Sequence, residues 1–388
     1  MIVFGVDQII LQQPTWKDLR IGLVTNHAAK TNDGESSRVA LIEHQFNIVK
    51  LFSPEHGLDV LGEDGIAMAD GIDSFTKLPI ISLYGKKLAP DEADMRSIDV
   101  LLFDIPDIGC RVYTYIWTLT YLLEAAAKYH KPLIVLDRPN PISGILAQAE
   151  GPILEDSVAS FIGRWPIPVR HSCTLGELAN YFNITRGIGC KLEVVKCVNW
   201  NRNQFQPDWG VAFVPTSPAI RNFESMLLYP GLCLFEATNI SVGRGTSKAF
   251  RIVGAPWMNG AMVANAFNQL GLEEIEATPI SFFPAFSKNA GNWCEGVEFD
   301  VIQPNYFQSV TSGLLLINLI HKLYPKQFSW APYPTEVNPS GSSHLDKLLG
   351  IPNSESLFKM PMQLFLANIT RITAVNDWKE EILPYLLY

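Results

Sequence analysis

Residues 98–105 read IDVLLFDI, an almost unbroken apolar run that ends in an acidic, proline-bearing loop. A strand with one wet face alternates apolar and polar residues. An unbroken run needs both faces covered, and parallel sheets flanked by helices supply that cover. Strand and helix signals alternate around it. LRIGLVTN (19–26) and NIVKLFS (47–53) read as strands, with the helical spacing of SSRVALIEHQF (36–46) between them. YTYIWTLTYLLEAAAKYH (113–130) puts Ile116, Leu119, Thr120, Leu123 and Ala127 on one helical face, and KPLIVLD (131–137) is the next strand. Thr174 and Glu177 have capping-box spacing ahead of a further helix, and KLEVVKCVNW (191–200) follows as a strand. This β-α-β order predicts an α/β fold with a doubly wound, mainly parallel sheet.

After about residue 220 the alternation fades, although TSGLLLINLIHKLYP (311–325) is a clear helix. A boundary is therefore expected near 218–226, giving domains of 1–222 and 223–388. The length of 388 residues fits two units of roughly 100–200 residues each.

Composition narrows the function. Hydrophobic residues make up 47% and charged residues 18%, which builds cores rather than disordered chain. The net charge is −9 with no basic run, which argues against a nucleic-acid partner. No apolar stretch reaches the ~18 residues a membrane span needs. The opening MIVFGVDQIILQQPTW lacks a basic segment and a cleavage-type end, so it does not read as a signal peptide. A cytoplasmic protein is expected, or a periplasmic or secreted one whose signal has been removed. The six cysteines include no C-x-x-C pair and read as buried thiols.

In open parallel sheets, ligands bind beyond the carboxyl ends of the strands. Asn26 and His27 follow the first strand, and Glu55 and His56 the second. Asp104, Asp107 and Arg111 follow the third, and Asp137, Arg138 and Asn140 the fourth. The aspartates could equally cap turns, with the arginines as their partners. Glu55 is harder to dismiss, because a strand end just before a glycine is an awkward place for a merely solvated carboxylate. The chain has no G-x-G-x-x-G after the first strand, no P-loop, no G-x-S-x-G elbow and no H-E-x-x-H. His56 and Asp59 alone are a weak metal signal, so neither metal nor cofactor is expected. What remains is carboxylate chemistry. A glutamate in a partly apolar pocket can donate a proton to a leaving oxygen, while arginine and aromatic residues suit an anionic or sugar ligand.

Several long motifs occur together and in order: LVTNHAAKT (23–31), LFSPEHGL (51–58), SLYG (82–85), FDIPDIGCRVYTYIWTL (103–119), VLDRPNPISG (135–144), PIPVRHSCTLGELA (166–179) and FEATNISVGRGTSKAFRIVGAPW (235–257). In these the chain resembles the exo-β-N-acetylmuramidase NamZ family, also catalogued as DUF1343. The resemblance implies a Rossmann-like N-terminal domain, a smaller α+β C-terminal domain and a cleft between them. It implies release of terminal β-linked N-acetylmuramic acid from the non-reducing end of peptidoglycan fragments. The substrate would be a muropeptide or an N-acetylmuramyl disaccharide, with Glu55 at the catalytic position of the PEHG motif and His56 beside it. The sugar's lactyl carboxylate calls for a cationic subsite, for which Arg111, Arg138 and Arg244 are candidates. Asp104, Asp107, Asp137 and Glu236 are candidates for a second carboxylate. Tyr113, Tyr115, Asn140, His171, Asn239, Gly245 and Thr246 complete the expected substrate contacts, with Asn26 and His27. A non-catalytic muropeptide- or sugar-binding protein on the same fold is the alternative.

The chain departs from the family pattern in places. LDVLGEDG follows PEHG where the family has a longer glycine-rich stretch. DIPD stands for DIQD, HSCTLGELA for HGMTVGELA, EATN for EGTN, and Ala219-Ile220-Arg221 for Asn-Met-Pro.

Overall fold

The computed structural model describes residues 1–388. In the large lobe, strands β1 (Ile21–Thr25), β2 (Ile48–Ser53), β3 (Gly71–Ile72), β4 (Pro79–Ser82), β5 (Val100–Asp104), β6 (Leu133–Leu136) and β7 (Leu192–Val195) form one sheet. Their order is β3-β4-β2-β1-β5-β6-β7. All neighbours are parallel except the edge pair β3 and β4. Helices α1 (Gly5–Gln12), α2 (Ser37–Glu43), α3 (Glu92–Arg96), α4 (Tyr115–Lys128) and α5 (Leu175–Thr185) complete this lobe. The chain winds outward from β1 to β2 and then returns past β1 to β5, so the strand order reverses between β1 and β5.

The apolar run at 98–105 is explained by what its residues touch. Val100 and Leu102 enter the core on one face of the sheet, with Val6, Leu23 and Leu136. Leu101 and Phe103 enter the core on the other, with Trp117 and Phe182. Every residue of β1 and β5 is buried. β3 and β4 were not evident in the sequence, because they are only two and four residues long and partly exposed.

The smaller lobe holds an antiparallel sheet, ordered β8-β10-β9, of β8 (Ile252–Ala255), β9 (Ile275–Phe282) and β10 (Cys294–Val301). Helices α6 (Phe223–Leu232), α7 (Gly260–Asn268) and α8 (Ser309–Leu323) belong to it, followed by α9 (His344–Leu349), α10 (Met362–Thr373) and α11 (Asn376–Ile382). α6 and α8 cross on glycines: a Cβ on Gly231 would lie 1.9 Å from Ser309 O. No helix is long and apolar enough to cross a membrane.

The two halves of the sequence are not two separate packing units. One apolar core runs from Phe103 and Trp117 through Phe235 and Leu314 to Trp378 and Ile382. The last segment returns to the large lobe. Trp378 Nε1 donates to His171 O at 3.0 Å, Leu387 N–H to Glu177 Oε1 at 3.0 Å, and Tyr388 O–H to Asp137 Oδ2 at 2.8 Å.

Asp137 is 1% exposed and also accepts from Thr174 O–H and Gly176 N–H. Burial nevertheless pushes its carboxyl up to about 6. Between the unfolded value near 4 and 6, the folded chain keeps a proton that the unfolded chain has released, so this group lowers stability as pH rises through that window. Asp137→Asn should remove that loss. Denaturant titrations should show the variant gaining about 2 kcal/mol on wild type between pH 4 and pH 7; an unchanged difference at the two pH values would contradict the assignment.

Candidate active site

β2 stops at Ser53, and Pro54 leads to Glu55. His56 and Gly57 then take left-handed backbone, with φ of 67° and 74°, which turns the chain back on itself. The returning loop brings the Gly65 N–H to Glu55 Oε1 at 2.8 Å. Thr114, just ahead of α4, donates its hydroxyl to Glu55 Oε2 at 2.6 Å. Glu55 is 6% exposed, and no arginine, lysine or histidine pairs with it. The phenol of Tyr84 is raised, first by burial and then by the Glu55 carboxylate. His56 Nδ1 lies 2.9 Å from Gly62 O; in the neutral ring this puts the proton on Nδ1 and leaves Nε2 as an acceptor.

The small lobe faces this carboxylate with a charge cluster. The turn SVGRGT presents Arg244 between two left-handed glycines, and a Cβ on Gly245 would lie 2.7 Å from the Phe286 backbone. Arg244 donates to Glu236 Oε1 from Nε at 3.0 Å and Nη2 at 2.8 Å, and its Nη1 reaches Asp64 Oδ1 at 2.8 Å. Tyr333 donates its hydroxyl to Asp64 and stacks on His344, with ring centroids 4.8 Å apart. Burial alone would raise both carboxyls. Arg244 holds Asp64 below the usual range, whereas Glu236 stays raised by burial despite the same arginine. Burial and then Lys288 and Lys347 hold His344 down at about 3, so this ring is neutral at physiological pH.

Glu55, His56, Asp64, Tyr113, Thr114, Glu236, Arg244, Tyr333 and His344 thus line one cleft of about 70 Å³ between the lobes. Of the residues expected from sequence, it gathers Glu55, His56, Tyr113, Glu236 and Arg244.

The remaining expected residues are placed elsewhere. Asp104 is fully buried in a bidentate pair with Arg138, at 2.6 and 3.0 Å. Arg111 is fully buried and donates to the carbonyls of Pro152, Ile167 and Leu348; burial pushes its guanidinium down to about 10. Neither arginine contributes a cation to the cleft, because each is spent on protein acceptors. Asp137 caps α5. Asn140 bonds Cys173 O and Ile142 N–H. Tyr115 donates to Thr216 O, Asn239 ties Gln327 to Ser329, and Thr246 closes its own turn onto Gly243 O, next to Gly245. Asn26 is buried at the end of β1, and His27 is exposed in a separate groove beside Arg38 and Asp59. His171 is buried with Nε2 3.3 Å from Asp107 Oδ2; Asp107 and Arg138 line a second cavity. No group of histidine, cysteine and acidic residues has metal-binding spacing.

Asp64, Thr114, Tyr333 and His344 were not foreseen. Asp64 sits in GEDG, a signal that loop and turn chemistry equally explains. Thr114 could have been read as the lead-in to the helix already recognised. Tyr333 and His344 carry no local signal.

Two α/β lobes closing on a cleft with three carboxylates define a glycosidase-like protein. The matched family models make this specific: "Exo-beta-N-acetylmuramidase NamZ, N-terminal" matches residues 21–224, and the C-terminal counterpart matches residues 227–388. The chain belongs to the exo-β-N-acetylmuramidase NamZ family. It is 42% identical over 328 residues to the peptidoglycan beta-N-acetylmuramidase NamZ of Bacillus subtilis strain 168, covering 84% of this chain and 79% of that protein. Two crystal structures of DUF1343 family proteins from Bacteroides fragilis NCTC 9343 each align with 100% of this chain and 99% of their own. Their TM-scores are 0.87 and 0.73, at 30% and 28% identity.

Removing the cation should show what holds the cleft together. Arg244→Met leaves Glu236 buried without its partner and facing Asp64. Chemical denaturation should register a loss of about 3–5 kcal/mol, and a change below about 1 kcal/mol would show that the arginine does not organise these carboxylates.

Proposed function

We propose that the protein is an exo-acting glycosidase that releases terminal β-linked N-acetylmuramic acid from peptidoglycan fragments, with Glu55 as the general acid. The observation that carries the reading is the environment of Glu55. It lies in a cleft lined from both lobes, and its carboxylate is positioned by a backbone N–H and a hydroxyl rather than neutralised by a cation. An arginine paired to Glu55 would have favoured a sugar-binding protein, because it would hold the carboxyl ionised and unable to donate a proton; no such pair forms. Glu55 in its acid form delivers a proton to the glycosidic oxygen as that bond breaks.

The other two carboxylates in the cleft, Asp64 and Glu236, are both committed to Arg244. This favours the substrate's own acetamido oxygen as the nucleophile. It attacks the anomeric carbon while the leaving oxygen takes the Glu55 proton. Water then opens the ring so formed, giving a proton back to Glu55. Two inversions at one carbon make net retention.

The cleft is too small for a sugar, since ligand sites span roughly 300–1,000 Å³. Entry therefore displaces a covering segment. The stretch that carries Tyr333 fits this role. It is fastened to the large lobe by the Tyr333–Asp64 bond and by Glu336 N–H to Gly65 O at 2.8 Å. Gly65 also donates to Glu55, so opening the cleft and positioning the acid are coupled.

Hydrolysis of a chromogenic aryl β-N-acetylmuramide tests the activity, beside the N-acetylglucosamine analogue. Cleavage of the muramide is expected, with turnover falling at least about 10³-fold in Glu55→Gln while the fold is kept; near-normal turnover in that variant would remove Glu55 from the role. The anomer first released, followed by NMR, should be β, and an α product would overturn the acetamido route.

A further inference from the structure

A larger cavity, of about 440 Å³, lies on the other side of a thin wall from the Glu55 cleft. Its size falls within the range of small-ligand sites. It opens where the strand order reverses, beyond the carboxyl ends of β1, β5 and β6, the position at which open parallel sheets bind ligands. Lys30 follows β1, Asp107 follows β5 and Arg138 follows β6, and all three line it. Thr216 lines this cavity and Ser217 the cleft, so the wall is one segment of chain. Two tyrosines pin it: Tyr113 O–H donates to Thr216 Oγ1 at 2.8 Å and Tyr115 O–H to Thr216 O at 2.7 Å.

The polar groups here are unevenly satisfied. Arg138 is spent on Asp104, and its guanidinium lies over the Phe4 ring at 4.8 Å. Asp33, at the rim, is occupied by the Thr31 hydroxyl. Lys30 is half-buried, and no acceptor or carboxylate engages its ammonium group. Burial and then Arg38 hold that group below its ordinary range, the mark of a cation without an anion. Asp107 is 7% exposed. Its Oδ2 accepts from Gly109 N–H at 2.9 Å and faces His171 Nε2, while its Oδ1 has no partner. His171 Nδ1 accepts from Cys173 N–H, so in the neutral ring the proton sits on Nε2, toward Asp107. Trp209 is buried, with its indole N–H unpartnered, and with Phe213 and Phe4 it makes the apolar wall.

We propose that this cavity is a second ligand site, for a monosaccharide bearing a carboxylate. Lys30 takes the carboxylate, and the aromatic wall covers the apolar face of the ring. One free cation without a glycine-rich loop suits a single carboxylate better than a polyphosphate. The choice of a sugar acid as ligand rests on the proposed function; the cavity itself supplies one free cation and an aromatic wall.

Calorimetric titration of the full chain tests the site, using N-acetylmuramic acid and N-acetylglucosamine, which lacks the lactyl carboxylate. N-Acetylmuramic acid should bind at least tenfold more tightly than N-acetylglucosamine. Lys30→Met and Trp209→Leu should each weaken it at least tenfold. Lys30 is half-exposed, so its variant keeps the test meaningful if the buried Trp209 change disturbs folding, which thermal melting reports. Wild-type affinity in Lys30→Met, or no uptake of N-acetylmuramic acid by the wild type, would overturn the proposal. Lys30-dependent binding in a protein that fails to hydrolyse the aryl muramide would instead sink the proposed activity and leave this site standing.

Discussion

The structure depends on central strands with no wet face. Alternate residues of β5 enter two different cores, Val100 and Leu102 on one side and Leu101 and Phe103 on the other. Burial on both faces gives a polar side chain no low-cost place within such a strand. The polar residues of this lobe are therefore concentrated beyond the strand ends, where Asn26, Glu55, Asp107 and Arg138 all occur. The reversal of strand order between β1 and β5 then opens the crest, and the cavity at Lys30 and Asp107 lies there.

The small lobe adds what the crest lacks. Arg244 bridges Asp64 of the large lobe to Glu236 of the small one, and so carries charge across the interface that forms the cleft. Arg111 works differently. Its charge is buried against three carbonyls, one of them Leu348 O in α9, and it joins distant segments without facing any ligand. The tail to Tyr388 closes over Asp137, so the far end of the chain completes the cap of a strand-end loop in the other lobe.

Much of this was legible. The run at 98–105, the helix at 113–130 and the capping box at Thr174 each carry a local physical signal, and each forms the expected kind of element. Glu55 stood out for a local reason as well, at a strand end before glycine, whereas Arg244 entered through the family resemblance, as one of three arginines suited to a sugar carboxylate. Asp104, Asp137 and Arg138 carried the same signal as Glu55, a charge just past a strand. What separates them is the partner each meets, which lies 34 residues away for the Asp104–Arg138 pair and 251 for Asp137 and Tyr388. Asp64 and Tyr333 meet across 269 residues, beyond the reach of any local pattern.

The sequence by itself determined the parallel sheet, the polar crest above it and the family, because periodicity and motif order are properties of neighbouring residues. Only the tertiary structure decided which charges are spent and which are free. Whether an arginine finds a carboxylate, a carbonyl or nothing depends on what the fold packs against it. That is why Glu55 is left without a cation, Lys30 without an anion, and Arg111 without a role in either cavity.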